Sequence, residues 1–307
     1  MNPYRKGLFS GLLSGVLWGA DTTINGWVLL AVPFSLVDKR LVAASLLLAF
    51  FHDLFSALWL TTRQVIKCEL KTTVSKLRNK SALFVMLAAL FGGPIGMRAY
   101  LYAIDTIGAG YTASISALYP VVAAVLGAII LKDYLTPKGW FGLILSVLAI
   151  TILGYSQLNS LNSNAFWGFI AACICAGGWA AESVICAYGM KEDVLPKEAL
   201  FIRQWVSSIA YFLFIIFGGH PLFNIYSVIS RPIIIIIAGL ALIGTTSYLY
   251  YYQAIDMIGP VKATGMNVTY SVWAIIFSIF LLGGQFDLKL IMCSIMIIVG
   301  TVFISKE

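Results

Sequence analysis

An all-α integral membrane protein, with about ten transmembrane helices arranged as two inverted five-helix repeats, is the fold class this sequence predicts. Three observations predict it. Of 307 residues, 60% are hydrophobic and only 11% are charged, whereas soluble domains carry about 25% charged residues. The apolar residues fall into ten runs, most near the ~20 residues that a membrane helix needs. The second half of the chain also repeats landmarks of the first.

The ten runs are 7–32, 36–60, 81–104, 109–131, 138–155, 165–188, 198–217, 232–255, 263–282 and 288–304. The first follows Arg5 and Lys6 and continues to Pro33. It is too long for a signal-peptide core, and no small-residue cleavage site follows a short one. Most connections are short and carry Gly, Pro, Asp or Lys. The longest, Thr61 to Lys80, is basic and polar. With the N-terminus in the cytoplasm, the inner side receives about 14 basic residues: Arg5, Lys6, Arg63, Lys67, Lys71, Lys76, Arg78, Lys80, Lys132, Lys138, Lys191, Lys197, Lys262 and Lys306. The outer side receives about four: Lys39, Arg40, Arg231 and Lys289. This positive-inside bias places both termini in the cytoplasm of a multi-pass plasma (inner) membrane protein, in agreement with an even number of spans.

Tyr102-Ala103-Ile104-Asp105-Thr106-Ile107-Gly108 matches Gln253-Ala254-Ile255-Asp256-Met257-Ile258-Gly259, and Tyr119 falls opposite Tyr270 in the same register. Trp18-Gly19-Ala20-Asp21 matches Trp179-Ala180-Ala181-Glu182, and Arg40-Leu41 matches Arg203-Gln204. The repeats are therefore residues 1–157 and 158–307. About five spans in each makes the second inverted relative to the first, a transporter signature that puts substrate near the midplane between them.

Within the spans, Gly7, Gly11, Gly15 and Gly19 recur every fourth residue and give the first span a flat face for close helix approach. Gly92-Gly93-Pro94-Ile95-Gly96 predicts a kink in the third span. Four charges are singled out inside spans: Asp21, Arg98, Glu182 and Arg203. Glu182 lies deepest and is the leading site residue, since buried carboxylates in spans mark ion or substrate paths. The competing role for it is an ion pair with Arg98 or a hydrogen bond to a neighbouring span. Asp21 and Arg98 are coupling or gating candidates, and Arg40 and Arg203 read as anchors or gates near the membrane faces. Trp27, Trp59, Trp140, Trp167 and Trp205 suit the interfacial belt. Trp18, Trp179, Tyr100, Tyr119, Tyr270 and the stripe Tyr248, Tyr251, Tyr252 lie deeper. Two indoles, several phenols and one carboxylate are the ingredients of an aromatic cage for a quaternary ammonium, each desolvated contact contributing about 0.5–2 kcal/mol.

Other classes fit poorly. The net charge of +7 is spread through loops and forms no basic stripe with interleaved aromatics, so the anionic lipid bilayer rather than nucleic acid is the expected partner. The five cysteines make no CxxC pair, and His52 and His220 are far apart, so no metal or cofactor is expected. No P-loop, HExxH or GxSxG occurs, which argues against an enzyme. Energy must then come from an ion or substrate gradient. Glu182 is placed to exchange a proton, since desolvation raises a carboxyl pKa and cation binding lowers it.

The ten spans, the inverted halves, Trp18-Gly19 and the Ala-Ile-Asp-x-Ile-Gly element resemble the drug/metabolite transporter superfamily of EamA type. Within it, 93–97 (Gly-Pro-Ile-Gly-Met), 179–184 (Trp-Ala-Ala-Glu-Ser-Val), 198–204 (Glu-Ala-Leu-Phe-Ile-Arg-Gln) and 262–273 (Lys-Ala-Thr-Gly-Met-Asn-Val-Thr-Tyr-Ser-Val-Trp) resemble the LicB-type bacterial choline permeases. That resemblance implies choline import through a midplane pocket to which Trp18, Trp179, Glu182 and an eighth-span Tyr contribute. Tyr248, Tyr251, Tyr119, Tyr270 and Asn267 complete the expected site. Arg98 departs from expectation, because a cation near the pocket opposes a cationic substrate unless paired with Asp21 or Glu182. The alternatives are an exporter of amino acids or drug-like amines, a membrane-embedded enzyme acting on lipid head groups, and a receptor that binds without transport.

Overall fold

In the computed structural model, described over residues 2–36, 43–130, 136–158, 163–191, 193–217, 223–283 and 287–305, every regular element is helical. Besides two 3₁₀ turns, Phe34–Leu36 and Lys76–Arg78, these are in chain order α1 (Pro3–Leu30), α2 (Ala43–Ile66), α3 (Leu70–Ser75), α4 (Lys80–Leu90), a π-helical turn Phe91–Met97, α5 (Arg98–Ile107), α6 (Ala109–Ser116), α7 (Tyr119–Ile130), α8 (Pro137–Leu158), α9 (Ser163–Gly189), α10 (Pro196–Phe217), α11 (Phe223–Ile229), α12 (Ile233–Ile258), α13 (Pro260–Asn267), α14 (Tyr270–Leu282) and α15 (Leu288–Ser305). α1 starts where its chemistry allows: Asn2 accepts from the Tyr4 N–H at 3.1 Å, and Pro3 fills the first helical position, where no N–H is needed.

Seven helical stretches of the described residues are long and apolar enough to cross a membrane: Ala44–Ile66, Lys80–Ile107, Ala109–Ile129, Asn164–Gly189, Pro196–Phe217, Ile233–Ile258 and Pro260–Leu282. This is a multi-pass membrane protein. α1 is not among the seven, because its inward face carries Ser10, Ser14, Asp21, Thr22, Thr23 and Asn25, all buried against protein. The second expected span runs further at its C-terminal end. It was placed at 36–60, but α2 runs Ala43–Ile66 with Arg63 in its last turn, where a cation suits the helix dipole. Residues 37–42, including Lys39 and Arg40, lie outside the described residues, as do Lys132, His220 and Lys306. The expected kink in the third span is a π-helical turn, in which Pro94 sits without breaking the helix.

The repeated element has matching backbone in both copies. Gly108 (φ 82°, ψ 161°) separates α5 from α6, and Gly259 (φ 79°, ψ 163°) separates α12 from α13. Only glycine adopts such a conformation without strain. Each is followed by a two-turn helix and a second break, after which Tyr119 and Tyr270 open α7 and α14. On the side of the α2–α3 loop, Lys76 bonds Glu198 at 2.7 Å, and Lys197 bonds Glu69. The Lys197 hydrogen bond holds the Glu69 carboxyl below its ordinary range.

The glycine face of α1 does pack closely, against α12, α13 and α14. A Cβ at Gly7 would meet Ile258, at Gly11 Met266, and at Gly19 Trp273 Cβ at 2.5 Å and the Ala274 backbone N at 2.9 Å. Gly19→Val is expected to destabilise the protein by about 1–3 kcal/mol through overpacking, read as a lower thermal midpoint in detergent. An unchanged midpoint would show that the two helices part easily.

Candidate functional site

Five helices converge on one cavity. α1 supplies Trp18, α7 Tyr119, α9 Trp179 and Glu182, α12 Ser247, Tyr248 and Tyr251, and α13 Asn267, around a narrow cavity of about 20 Å³. Trp179 and Glu182 share a face because they are three apart on a helix. The same spacing brings Tyr248 and Tyr251 together. Trp18 lies edge-on to Tyr248 (centroids 4.9 Å apart) and to Trp179 (5.5 Å), and Tyr119 lies edge-on to Trp179 at 6.0 Å. These crossed rings present both faces and edges to the space between them. Asn267 is fixed by its own bonds, donating to Ser14 Oγ at 2.7 Å and accepting from the Tyr119 hydroxyl at 2.7 Å.

Glu182 is 2% exposed and enters a buried network. Its Oε1 accepts from Arg203 Nε at 3.0 Å and from the Tyr252 hydroxyl at 2.7 Å. The Arg203 guanidinium also donates to Asp53 Oδ2 at 2.9 Å, to Gln204 Oε1 at 2.6 Å and to the Tyr248 hydroxyl at 3.0 Å, and its carbon lies 4.6 Å from the Tyr248 ring centroid. Asp53 Oδ2 accepts from Ser207 as well. On its other side Asp53 meets His52 Nδ1 at 3.3 Å, and His52 Nε2 meets Asp21 Oδ1 at 3.0 Å. Asn25 Nδ2 donates to Asp21 Oδ2 at 2.7 Å. Three carboxylates thus face one guanidinium and one imidazole, so the cluster is net negative when all three are ionised. Asp21 on α1 meets His52 on α2, Glu182 on α9 meets Arg203 on α10, and Asp53 touches both His52 and Arg203.

Close backbone approach makes room for the network. A Cβ at Gly92 would overlap the Glu182 carboxylate, one at Gly93 would overlap Ser207 Oγ, and one at Gly96 would lie 2.8 Å from Trp179 Cδ1. All three belong to the π-helical turn. The indole N–H groups of Trp18 and Trp179 are buried with no hydrogen-bond partner among the described residues.

The expected site residues are brought together with one exception. Trp18, Tyr119, Trp179, Glu182, Tyr248, Tyr251 and Asn267 line the cavity. Tyr270 does not; it stands behind Trp179, 6.3 Å between centroids, bonded to Ser116 Oγ at 2.7 Å. Tyr100 is also behind, 4.7 Å from Trp179. Two expectations about charge are corrected. Arg203 is no anchor at a membrane face but is fully buried at the centre, 0% exposed. Arg98 is half-buried and makes no ion pair with Asp21 or Glu182, whose partners are His52 and Arg203. Trp205 is not at a span end either; it lies mid-helix and donates to Thr61 Oγ1 at 3.1 Å. His52 and Asp53 were missed, although adjacent ionisable residues inside the second apolar run were a readable signal.

The comparisons with known proteins agree with this architecture. The model of the EamA-like transporter family matches residues 5–155 and again residues 166–306. Protein LicB of Haemophilus influenzae is 32% identical over 277 residues, which cover 88% of this chain and 87% of that protein. A solved crystal structure superposes with a TM-score of 0.63 at 16% identity, covering 99% of this chain and 97% of that one, and so shares the fold. With nearly its whole length matched in two successive segments, the chain belongs to the EamA-like transporter family.

Proposed function

We propose that this transporter imports choline across the plasma membrane by alternating access. The observation that carries the reading is the cavity itself: a net-negative buried carboxylate cluster opening through Glu182 onto a ring of Trp18, Trp179, Tyr248 and Tyr251. A quaternary ammonium has no N–H to donate. It is recognised by ring quadrupoles and by diffuse negative charge, and both are present here. The similarity to LicB supports the same substrate. Counting α1, α8 and α15 with the seven long apolar stretches gives ten spans, residues 1–157 and 158–307 forming two inverted repeats with both termini cytoplasmic. Rocking one repeat against the other exposes the cage to each side in turn. A monovalent cation is also drawn inward by an inside-negative potential, about 2.3 kcal/mol per 100 mV.

Thermal stabilisation of the purified protein by choline, betaine, ethanolamine, several amino acids and a hydrophobic amine tests the reading, because a ligand that binds only the folded state raises its stability by mass action. Choline is expected to give the largest shift. In Glu182→Gln its affinity is expected to fall at least about tenfold, or 1.4 kcal/mol. Stabilisation by amino acids with none from choline would overturn the substrate, and wild-type affinity in Glu182→Gln would remove that carboxylate from recognition.

A further inference from the structure

A second concavity, of about 370 Å³, lies on the outside of the bundle between α2 and α12. The two helices cross where Ser56 Oγ donates to Ala241 O at 3.3 Å and lies 2.7 Å from Thr245 Oγ1, and Trp59 Nε1 donates to Ala238 O at 2.9 Å. Past the crossing, Trp59, Ile66, Leu242 and Leu249 wall a groove, and Arg63 and Lys67 stand at the end of α2. The wall hydroxyls are already satisfied: Thr62 donates to Leu58 O at 2.9 Å and Thr246 to Leu242 O at 2.8 Å, each within its own helix. Charge at the groove's end is unbalanced. Arg63, Lys67 and Lys197 act on one carboxylate, Glu69, whose Oε1 is held by Lys197 and whose Oε2 is 3.9 Å from Arg63 Nη1. That leaves a local excess of two positive charges. We infer that this groove is a binding site for an anionic phospholipid, with an acyl chain lying along α2 and α12 and the phosphate held by Arg63 and Lys67.

The two parts of the groove together specify the occupant. A soluble anion would use the cations and none of the apolar wall. A neutral lipid would use the wall and not the cations. An amphiphile with an anionic head uses both, and basic residues just beyond a membrane helix attract such lipids. The Arg63 guanidinium makes no side-chain hydrogen bond among the described residues, since 3.9 Å is beyond hydrogen-bond reach. Its planar fork therefore remains open to two phosphate oxygens. Trp59, Arg63, Ile66, Lys67 and Leu242 are all exposed, so the groove is open along its length. The site also spans the two matched segments of the chain, because α2 lies in 5–155 and α12 in 166–306. Lipid bound there ties the two segments together and is expected to raise the thermal midpoint, as any ligand selective for the folded state does. None of these residues lines the aromatic cage, so the site is independent of the choline reading. The positive-inside orientation enters only in assigning the lipid to the inner leaflet.

The test uses delipidated full-length protein in a neutral detergent. Phosphatidylglycerol and phosphatidylethanolamine with the same acyl chains are titrated, and binding is read by native mass spectrometry and thermal shift. At about fivefold for each basic residue near a membrane surface, phosphatidylglycerol is expected to bind about five to twenty-five times more tightly. Arg63→Gln combined with Lys67→Gln is expected to abolish that preference. Arg78→Gln combined with Lys80→Gln removes equal charge outside the groove and is expected to keep it. Thr246→Trp fills the groove while leaving both cations, and is expected to weaken both lipids without changing the helical circular dichroism. Equal binding of the two lipids by the wild type would overturn the site, as would equal loss of preference in the two double variants. A folded Thr246→Trp that binds phosphatidylglycerol like the wild type would remove the groove from the interaction. Glycerol 1-phosphate binding as tightly as phosphatidylglycerol would mean a surface anion site and would overturn the lipid.

Discussion

Arg203→Met is expected to destabilise the folded protein by about 3–5 kcal/mol, the usual cost of removing one partner from a buried ion pair. Methionine fills much of the same volume, so the loss is electrostatic rather than a cavity effect. Asp53 and Glu182 would each lose their guanidinium donor, and the Tyr248 hydroxyl and Gln204 carbonyl would lose theirs. Ser207, Tyr252 and an imidazole that Asp53 shares with Asp21 do not replace the guanidinium for both carboxylates. Thermal unfolding of the purified protein measures the effect, and Arg203→Lys is the control. A lysine keeps the charge but reaches fewer acceptors, because it lacks the planar fork. The expected order is wild type, then lysine, then methionine. Equal midpoints for wild type and methionine would mean that the carboxylates are neutral in the folded state.

Gly92→Ala is expected to reduce choline affinity at least tenfold without touching a ligand-facing atom. The new methyl group would occupy the volume of the Glu182 carboxylate. The backbone cannot retreat easily, because Gly92 lies in a π-helical turn stiffened by Pro94 and packed against α9. Glu182 must swing away, leaving Arg203 Nε and the Tyr252 hydroxyl. The measurement is choline titration by thermal shift or calorimetry, with Gly127→Ala as the comparison, where a methyl group meets nothing within 4 Å. Unaltered affinity in Gly92→Ala would show that Glu182 has a second productive rotamer.

Much of this was legible in the sequence, and the reasons are physical. Bilayer thickness dictates span length, so most helices were placed to within a few residues of their ends. The second span was ended at residue 60, short of Ile66, because the last turns of that helix carry mixed polarity, and hydropathy alone does not locate a boundary there. The repeated Ala-Ile-Asp-x-Ile-Gly element marked equivalent positions correctly, since Gly108 and Gly259 do one conformational task twice. Of the expected substrate residues that line the cavity, the pairs Trp179–Glu182 and Tyr248–Tyr251 follow from spacing on a single helix. Partners between helices do not. Glu182 and Arg203 are 21 residues apart, Asp53 and Arg203 150, and nothing in periodicity says which helices touch. Arg98 was the more conspicuous cation, next to the Gly-Pro motif, yet it forms no ion pair within this network.

The smooth face of α1 has a consequence for how the protein is made. Residues near the start of the chain, Gly7 to Gly19, rest directly on Ile258, Met266 and Trp273, which the ribosome delivers some 250 residues later. At ~5–20 residues per second, the first helix waits on the order of tens of seconds for its neighbours. During that interval the glycine face of α1 has no neighbour, whereas Asp21 already has His52 of α2 within reach, so α1 is secured on one face long before the other. A nascent chain truncated before α12 would leave that glycine face uncovered, and the quality-control machinery of the membrane would meet it first.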